Sequence, residues 1–271
     1  MNAHSGKTAI VTGASTGIGR ATAEALAKAG FRVFGTSRRA VEDEPRGVAM
    51  LTCDVTDDAA VLAIVSTVLS RTGRIDLLVN NAGIGLLGGA EESSISQIQA
   101  LFDVNLFGVI RLTNAVLPLM RQRGQGRIVN ISSVLGLIPA PYSAHYAATK
   151  HALEGYSESL DHETRAFNVR IALVEPAYTR SAFEQNTLAA DSTLKDYEDA
   201  RARARAVMKE ATAIGDTPES VAAAVLLAAT DEHPRRRYPA GKMARQVSVL
   251  RRLVPAKAFD KSLRKQMRLP V

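Results

Sequence analysis

The 271-residue sequence lacks tryptophan and contains a single cysteine, Cys53. One cysteine cannot form an intrachain disulfide or a cysteine-built zinc site, and it suits a reducing, cytoplasmic setting. The five histidines do not stand at metal-ligand spacings with carboxylates or cysteine, so we predict no metal site. Residues 1–7 are polar, and the longest apolar stretch, 221–229, is far below the ~20 residues of a membrane-spanning helix. We therefore expect a soluble protein without a signal peptide.

The excess of basic over acidic residues lies entirely in the last 41 residues of the sequence. The formal net charge is +7, yet residues 1–230 hold 22 basic and 24 acidic side chains, whereas residues 231–271 hold 12 and 3. A basic segment can bind nucleic acid, but such sites interleave cations with aromatic rings, and Phe259 is the only aromatic residue after Tyr238. The sequence therefore argues against nucleic acid as a partner, and the body and the tail need separate explanations.

Short apolar runs alternate with helix-length segments, which is typical of a parallel sheet covered by helices on both faces. The predicted strands are residues 8–11, 32–35, 50–53, 77–79, 127–131 and 170–174. Gly30 closes a predicted helix over 17–29, and Thr217 with Pro218 opens another over 219–230. No repeat or linker interrupts this pattern, so we predict a single α/β domain. The long polar segment 181–215 follows the sixth strand and is expected to form a substrate-binding lid.

A glycine-rich turn joins the first strand to the first helix, in the order Thr12-Gly13-Ala14-Ser15-Thr16-Gly17-Ile18-Gly19. Glycines at such a junction let the backbone approach a pyrophosphate, which binds the free N–H groups at the positive end of the helix. An ordinary tight turn uses the same residues, but the position between strand and helix favours nucleotide binding. The predicted cofactor contacts here are Gly13, Ser15, Thr16, Gly17, Ile18 and Gly19.

The spacing G-x-x-x-G-x-G, preceded by Thr12, resembles the short-chain dehydrogenase/reductase family, and further motifs of that family follow in order over most of the chain. The resemblance implies a Rossmann-type doubly wound sheet, a catalytic domain over 1–241, hydride transfer with a nicotinamide cofactor, and a homo-oligomer, either dimer or tetramer. The pair Glu175-Pro176 and the extension 242–271 look most like the hydroxysteroid and retinol dehydrogenase branch.

The end of the second strand predicts which nicotinamide cofactor binds. An acidic residue there binds the ribose 2′-hydroxyl and repels a 2′-phosphate, but this sequence has Ser37 followed by Arg38. A guanidinium can hold a phosphate through two hydrogen bonds, so we predict NADP(H). The alternative is that Arg38 and Arg39 are solvated loop charges.

The resemblance also implies cofactor contacts after the later strands. Asp54 is expected to accept a hydrogen bond from the adenine amino group, next to the backbone of Val55. Further contacts are implied for Asn81, Ala82, Gly83, Pro176, Ala177 and Thr179. Ala177 stands where the family usually has glycine and restricts that turn to negative φ. Asn80 has a structural interpretation of equal weight, in which it ties the central strands together.

Tyr146 and Lys150 stand four residues apart, so they share one face of a predicted helix. A tyrosine with an ordinary pKa near ~10 needs a nearby cation to act as an acid or base at neutral pH, and Lys150 supplies one. Both residue types are common on helix surfaces, so the spacing alone is a weak signal. The resemblance strengthens it, because the family places its catalytic serine thirteen residues before the tyrosine, which is Ser133 here. The neighbouring Ser132 hydroxyl is expected to bond to the backbone.

The family mechanism implies a role for each of four residues. Ser133 polarises a carbonyl, Tyr146 donates or removes the proton, and Lys150 supports Tyr146 and binds the nicotinamide ribose. Asn105 matches the helix asparagine that holds a water in a proton relay to the lysine, with simple helix packing as the alternative. A catalytically silent NADP(H)-binding sensor or scaffold on the same fold is the rival function, and it has no chemical need for all four residues.

Apolar residues are expected to border the substrate. They are Leu86, Leu87, Leu135, Leu137, Ile138, Pro139 and Phe183. No cationic cluster accompanies them, so we predict an apolar alcohol, ketone or aldehyde, such as a steroid, a retinoid or another lipid.

The extension 242–271 predicts a last helix with Pro255 at its first position. Phe259, Leu263 and Met267 share one face of it, and the cations share the other: Lys257, Lys261, Arg264, Lys265 and Arg268. Such a helix either lies peripherally on an anionic membrane or packs its apolar stripe on the body or on a partner subunit.

Overall fold

A computed structural model describes residues 4, 6–181, 183 and 186–269. Its strands are β1 (Thr8–Val11), β2 (Arg32–Ser37), β3 (Val48–Thr52), β4 (Leu77–Asn80), β5 (Leu86–Leu87), β6 (Gly126–Ile131), β7 (Val169–Pro176), β8 (Leu188–Ala189) and β9 (Arg237–Ala240). Its α-helices are α1 (Gly17–Lys28), α2 (Asp58–Thr72), α3 (Ile95–Phe102), α4 (Gly108–Arg123), α5 (Ala144–Thr164), α6 (Glu198–Ala213), α7 (Pro218–Thr230), α8 (Lys242–Leu253) and α9 (Ala256–Gln266).

Seven strands form one parallel sheet in the order β3-β2-β1-β4-β6-β7-β9. The chain winds outward from β1 in one direction and then from β4 in the other, so the strand order reverses between these two strands. Ligands of doubly wound sheets bind in the crevice at the carboxyl ends of strands at this point. The predicted α/β fold, a Rossmann-type single domain, is confirmed.

The sequence pattern predicts six strands of this sheet but not the seventh, β9, which lies at its edge. This strand has only four residues, Arg237-Tyr238-Pro239-Ala240, and it contains a proline. A proline is tolerated on an edge strand, where its missing N–H leaves no gap in a ladder. Tyr238 and Ala240 are buried, so the short strand still contributes to the core.

Two cores cover the faces of the sheet. On one face, α1 and α7 contact β1, β2 and their neighbours through side chains such as Leu26 and Val225. On the other face, α2 and α4 pack through side chains such as Val68 and Leu112. The predicted cap of α7 is present, because the Thr217 side chain accepts a hydrogen bond from the backbone of Ser220. Both faces of the strands are therefore covered, and the carboxyl-terminal edge carries the open crevice.

One helical stretch, Ile95–Arg123, is long and apolar enough to cross a membrane by length and composition alone, with a mean hydropathy of 1.4. It was missed in the sequence because polar residues interrupt it. Leu112, Val116 and Met120 of this stretch lie fully buried against the sheet. Their burial accounts for its apolar character as that of a core helix.

The C-terminal extension folds as α8 and α9. Pro255 directly precedes α9, one position earlier than predicted. The predicted apolar stripe of α9 faces the body: Leu263 and Met267 pack with Ala204 and Val207 of α6. Just beyond the end of α9, Arg268 forms an ion pair with Glu210 of the same helix α6, with Nη2 and Oε2 2.5 Å apart. The apolar stripe of α9 is therefore covered by α6, and it is not exposed for the membrane contact that was the alternative.

Candidate active site

The glycine-rich turn lies between β1 and α1 at the carboxyl edge of the sheet. Gly13 and Gly17 have φ values of +64° and +54°, which side chains rarely adopt. A Cβ on Gly19 would lie 2.1 Å from the carbonyl oxygen of Gly13, so only glycine fits there. Thr16 precedes α1 without a side-chain cap, which leaves first-turn N–H groups of the helix for a ligand.

Asn81, at the end of β4, holds this turn in place. Its Nδ2 donates to the carbonyl oxygens of Thr12 and Gly13 at 2.9 and 3.1 Å, and its backbone N–H donates to the Thr12 hydroxyl at 2.9 Å. The preceding Asn80 points the other way and donates to Asn130 Oδ1 at 2.9 Å. The structural interpretation of Asn80, tying β4 to β6, therefore matches the geometry.

The predicted adenosine end of the site lies at the ends of β2 and β3. Asp54 Oδ1 accepts hydrogen bonds from the backbone N–H and the hydroxyl of Thr56, at 2.9 and 2.8 Å. The backbone hydrogen bond does most to hold the pKa of Asp54 below its usual range, and the charge of Arg38 adds to the effect. Ser37 and Arg38 border the same crevice, with Ser37 Oγ 3.4 Å from the backbone N of Arg39.

Ser133, Tyr146 and Lys150 converge where β6 meets α5. The Lys150 ammonium is buried, donates to the Ile131 carbonyl at 2.9 Å, and lies 5.7 Å from the centre of the Tyr146 ring. Burial raises the pKa of the Tyr146 phenol, and its hydrogen bond with Ser133 opposes the rise. Burial also lowers the pKa of Lys150 to about 8, opposed by the charge of Glu154. The structure therefore brings the three predicted side chains together at one end of the sheet.

Asn105 lies in a π-helical turn, Asp103–Phe107, between α3 and α4. π turns inside α-helices frequently mark functional sites. Its amide has protein partners at both atoms: Oδ1 accepts from the Ile84 N–H at 2.9 Å, and Nδ2 donates to the Ile84 carbonyl at 2.9 Å and to the Thr149 hydroxyl at 3.2 Å. The buried amide therefore needs no water to offset its desolvation, and it fixes the loop after β4 against α5.

A single cavity of about 600 Å³ joins these parts. Every predicted cofactor residue lines it: Gly13, Ser15, Thr16, Gly17, Ile18, Gly19, Ser37, Arg38, Asp54, Val55, Asn81, Ala82, Gly83, Tyr146, Lys150, Pro176, Ala177 and Thr179. Ser133 lines it as well. Thr179 is held there by a bridge to Asp216 and by a 3.2 Å hydrogen bond to the Ala177 carbonyl.

The apolar end of the cavity is built from distant parts of the chain. Six of the predicted apolar residues line it, namely Leu86, Leu87, Leu135, Ile138, Pro139 and Phe183. Leu137 does not line the cavity. Its carbonyl oxygen accepts a hydrogen bond from Arg251 Nε of α8 at 3.2 Å. The sequence did not predict that residues of the last helices also line this end of the cavity. They are Met208 of α6, Met243 and Val247 of α8, and Leu263, Gln266 and Met267 at the end of α9. The helical periodicity of these segments was the available signal, but it does not say what the faces contact.

Two curated proteins illustrate the similarity to known sequences. The 3-ketodihydrosphingosine reductase of Bacteroides thetaiotaomicron is 36% identical over 86% of this chain and 87% of its own length. Human retinol dehydrogenase 8 is 41% identical over 68% of this chain and 62% of its own length.

Solved structures agree with the sequence matches. A short-chain dehydrogenase from Streptomyces avermitilis superposes with a TM-score of 0.85 at 34% identity, covering 99% of each chain. A metagenomic short-chain oxidoreductase in complex with NADP has a TM-score of 0.66 at 31% identity, covering 86% of this chain and 96% of its own. A Burkholderia phymatum enzyme in complex with NAD has a TM-score of 0.79 at 25% identity, covering 97% of each. The family model described as short chain dehydrogenase matches residues 7–192, and this chain belongs to that family.

Proposed function

We propose that the protein is an NADP(H)-dependent oxidoreductase that interconverts the carbonyl and alcohol forms of an apolar substrate. The observation that carries the proposal is the continuous cavity, which runs from the glycine turn past Ser133, Tyr146 and Lys150 to an apolar wall. Short-chain dehydrogenases bind nicotinamide cofactors, and the glycine cradle fits one, since a side chain at Gly19 would collide with the backbone beneath it. When bound, the cofactor supplies or accepts the hydride.

The chain's own residues would handle the proton and the oxygen. Ser133 hydrogen-bonds the phenol of Tyr146, so both hydroxyls reach one point where a carbonyl oxygen can bind. Tyr146 donates a proton to that oxygen in reduction and removes it in oxidation. The Lys150 ammonium stabilises the phenolate by its charge. Asn105 acts at a distance by fixing the loop after β4 against the helix that carries Tyr146 and Lys150.

An NADPH oxidation assay across ketones, aldehydes, steroids and retinoids tests the activity. Tyr146→Phe should lower kcat by about 10²- to 10⁴-fold while NADPH binding, measured by calorimetry, stays unchanged. Tyr156→Phe is the matched control, because Tyr156 lies on the same helix with its hydroxyl near Thr113. Full turnover by Tyr146→Phe would sink the catalytic assignment. NADPH binding without turnover of any substrate would favour the silent sensor.

The preference for NADP(H) rests on the end of β2. Arg38 and Arg39 border the cavity, and Ser37 places no carboxylate where a 2′-phosphate would lie. A charge-assisted hydrogen bond contributes about 1.5–3 kcal/mol, so the Ser37→Asp/Arg38→Ala double variant should lose roughly 10- to 100-fold in its preference for NADPH over NADH. Arg46→Ala serves as the control for a general loss of positive charge. An unchanged preference in the double variant refutes the NADP(H) assignment.

The substrate is proposed to be lipid-like. Three methionines from three helices, Met208, Met243 and Met267, share the wall, and methionine side chains adapt to irregular apolar ligands. The relatives named for 3-ketodihydrosphingosine and retinol point the same way. We propose residues 1–241 as the catalytic domain, 181–215 as its lid, and 242–271 as an extension that completes the pocket; residues 1–3, 5, 182, 184, 185, 270 and 271 of these ranges lie outside the described part of the chain.

We also propose that the protein is cytoplasmic, forms a dimer or tetramer, and touches anionic membranes peripherally. The inward-facing stripe of α9 cannot make that contact, but Val249, Leu250 and Leu253 of α8 are 54%, 49% and 76% exposed beside several arginines and lysines. Co-sedimentation with phosphatidylserine vesicles tests this, with Leu250→Ser/Leu253→Ser as the comparison. Equal behaviour of the two proteins excludes the membrane contact. Light scattering after size-exclusion chromatography tests the oligomer.

A further inference from the structure

Two buried carboxyl groups and one guanidinium lie behind the proposed active site. Glu154 of α5 is 4% exposed, and Glu175 at the end of β7 is fully buried. Arg237 of β9 reaches both, with its Nη2 3.0 Å from Glu154 Oε2 and its Nε 3.7 Å from Glu175 Oε1. We call Glu154, Glu175 and Arg237 the acid cluster. The mechanism above uses none of the three.

The acid cluster contains two carboxyl groups for one guanidinium. Arg237 is shared with a third carboxyl, since its Nε also lies 3.2 Å from Oε1 of the half-exposed Glu158. Among the residues that the structure describes, neither oxygen of Glu175 has a hydrogen-bond partner. Two buried carboxylates beside one guanidinium repel each other and are poorly solvated, so one of them is expected to keep a proton.

The surroundings of both carboxyls favour their protonated forms. Burial raises the pKa of Glu175 to about 7, with the charge of Glu154 adding to the rise and Arg237 and Arg252 opposing it. Burial raises the pKa of Glu154 as well, and the nearby Ser132 hydroxyl and the charge of Arg237 oppose the rise. Burial thus favours the protonated form of both carboxyls, and the charge of each one affects the pKa of the other.

The cluster touches the proposed catalytic residues through α5 and β6. Tyr146, Lys150 and Glu154 follow each other at intervals of one helical turn, so Lys150 stands between the phenol and the cluster. Ser132, which adjoins Ser133, faces Glu154 instead of the backbone partner expected from the sequence. A Cβ on Gly136 would lie 2.9 Å from Ser132 Oγ and 3.1 Å from Glu154 Oε1, so these two atoms border the same small space.

We propose that Glu154 and Glu175 share one proton beside Arg237 and that the negative charge left on Glu154 keeps the buried Lys150 ammonium protonated. Glu154 is then a positioning residue for charge, acting through Lys150. The groups that face the pair are Lys150 and Glu158 on α5, Ser132 after β6, Arg237 on β9 and Arg252 on α8. The consequence for activity rests on the proposed function, whereas the charge coupling itself does not.

The ionisation of Lys150 can be measured without substrate. The sequence contains nine lysines, so ¹³Cε-lysine labelling gives a tractable NMR spectrum, in which Lys150→Arg identifies the resonance. Glu154→Gln should move the Lys150 titration to lower pH by about one unit, as a lost charge a few ångströms away implies. Glu175→Gln should move it to higher pH, because Glu154 then no longer shares the proton.

If Glu154 and Glu175 had a purely structural role, the two variants would not shift the Lys150 titration in opposite directions. Glu163→Gln is the matched control, since Glu163 is an exposed carboxylate on α5 that lies outside the acid cluster. If Glu154→Gln does not fold, judged by circular dichroism, Glu175→Gln alone decides. An unmoved Lys150 titration, or shifts of one sign in both variants, overturns the proposal.

The same variants separate this proposal from the proposed function. In an active reductase, the alkaline limb of the kcat profile should follow the NMR titration of Lys150 in each variant. If the NMR shifts occur but no ketone, aldehyde, steroid or retinoid is turned over, the charge coupling stands and the proposed function fails. If turnover occurs without the NMR shifts, the reverse holds.

Discussion

Met267 offers a direct test of whether the C-terminal extension forms the substrate wall. Its side chain is 8% exposed, packs with Ala204 and Val207 of α6, and lines the cavity. Met267→Ala removes three heavy atoms beyond Cβ. At about 0.8 kcal/mol for each methylene-sized group, the loss is about 2 kcal/mol, which lowers Tm by about 4 °C in a chain of this size.

The effect on specificity should depend on substrate length. A long-chain ketone that reaches the wall loses part of its contact, so its KM should rise by roughly 10-fold, since a methylene-sized change in an apolar pocket is worth about 1–3 kcal/mol. Butanone has only four carbons and offers much less apolar surface to the wall, so its KM should change far less. Steady-state kinetics with both ketones, together with thermal unfolding, measure the two effects.

Met120→Ala is the control for destabilisation alone. Met120 is fully buried in α4 beneath the sheet and does not line the cavity. Its truncation should cost about 2–5 kcal/mol of stability and leave the ratio of the two KM values unchanged. The same change of ratio in both variants, or no change in Met267→Ala, would refute the reasoning that α9 contacts substrate.

Three further predictions concern the scaffold. Gly19→Ala should abolish measurable NADPH binding in calorimetry, because its Cβ would lie 2.1 Å from a carbonyl oxygen, whereas Gly155→Ala in open space on α5 should stabilise the fold by about 0.5–1 kcal/mol. Asn80→Ala leaves the amide of its buried partner Asn130 short of a hydrogen bond and should cost about 1–3 kcal/mol in urea unfolding. Burial raises the pKa of Asp161, but hydrogen bonds from two arginines and a backbone N–H hold it below its usual range. The stability that Asp161 contributes is thus present above its unfolded pKa of about 3.9 and is lost as pH falls through the folded value, so Asp161→Asn should cost stability at pH 7 and progressively less below about pH 4.

Local signals in the sequence were enough for the central fold and for the polar half of the site. Two parts of the site are short, continuous segments: the turn from Gly13 to Gly19, and the helical turn from Tyr146 to Lys150. Within such segments the residue spacing predicts which groups lie close together. The strand β9 escaped detection because four residues with an arginine and a proline carry little periodicity. Its place at the edge depends on pairing with β7, more than sixty residues earlier.

The other half of the site depends on contacts between segments far apart in sequence. Nothing local to α9 tells whether Met267 faces lipid, a second subunit or α6, since an amphipathic helix suits all three. The acid cluster is equally hidden, because Glu154, Glu175 and Arg237 come from three elements that meet only in the folded sheet. Ser132 was misjudged for the same reason, since Glu154 approaches it across the turn at Gly136.

The position of α9 also bears on when this protein becomes competent during synthesis. The sheet and the glycine turn are complete once β9 has formed, and domains generally fold from the N-terminal side as the chain emerges. Leu263 and Met267, however, line the cavity from a segment that is translated after β9. A nascent chain that already contains every proposed catalytic residue therefore still lacks the side of the pocket that α9 forms. Selectivity for the substrate arises later in synthesis than the site for the cofactor.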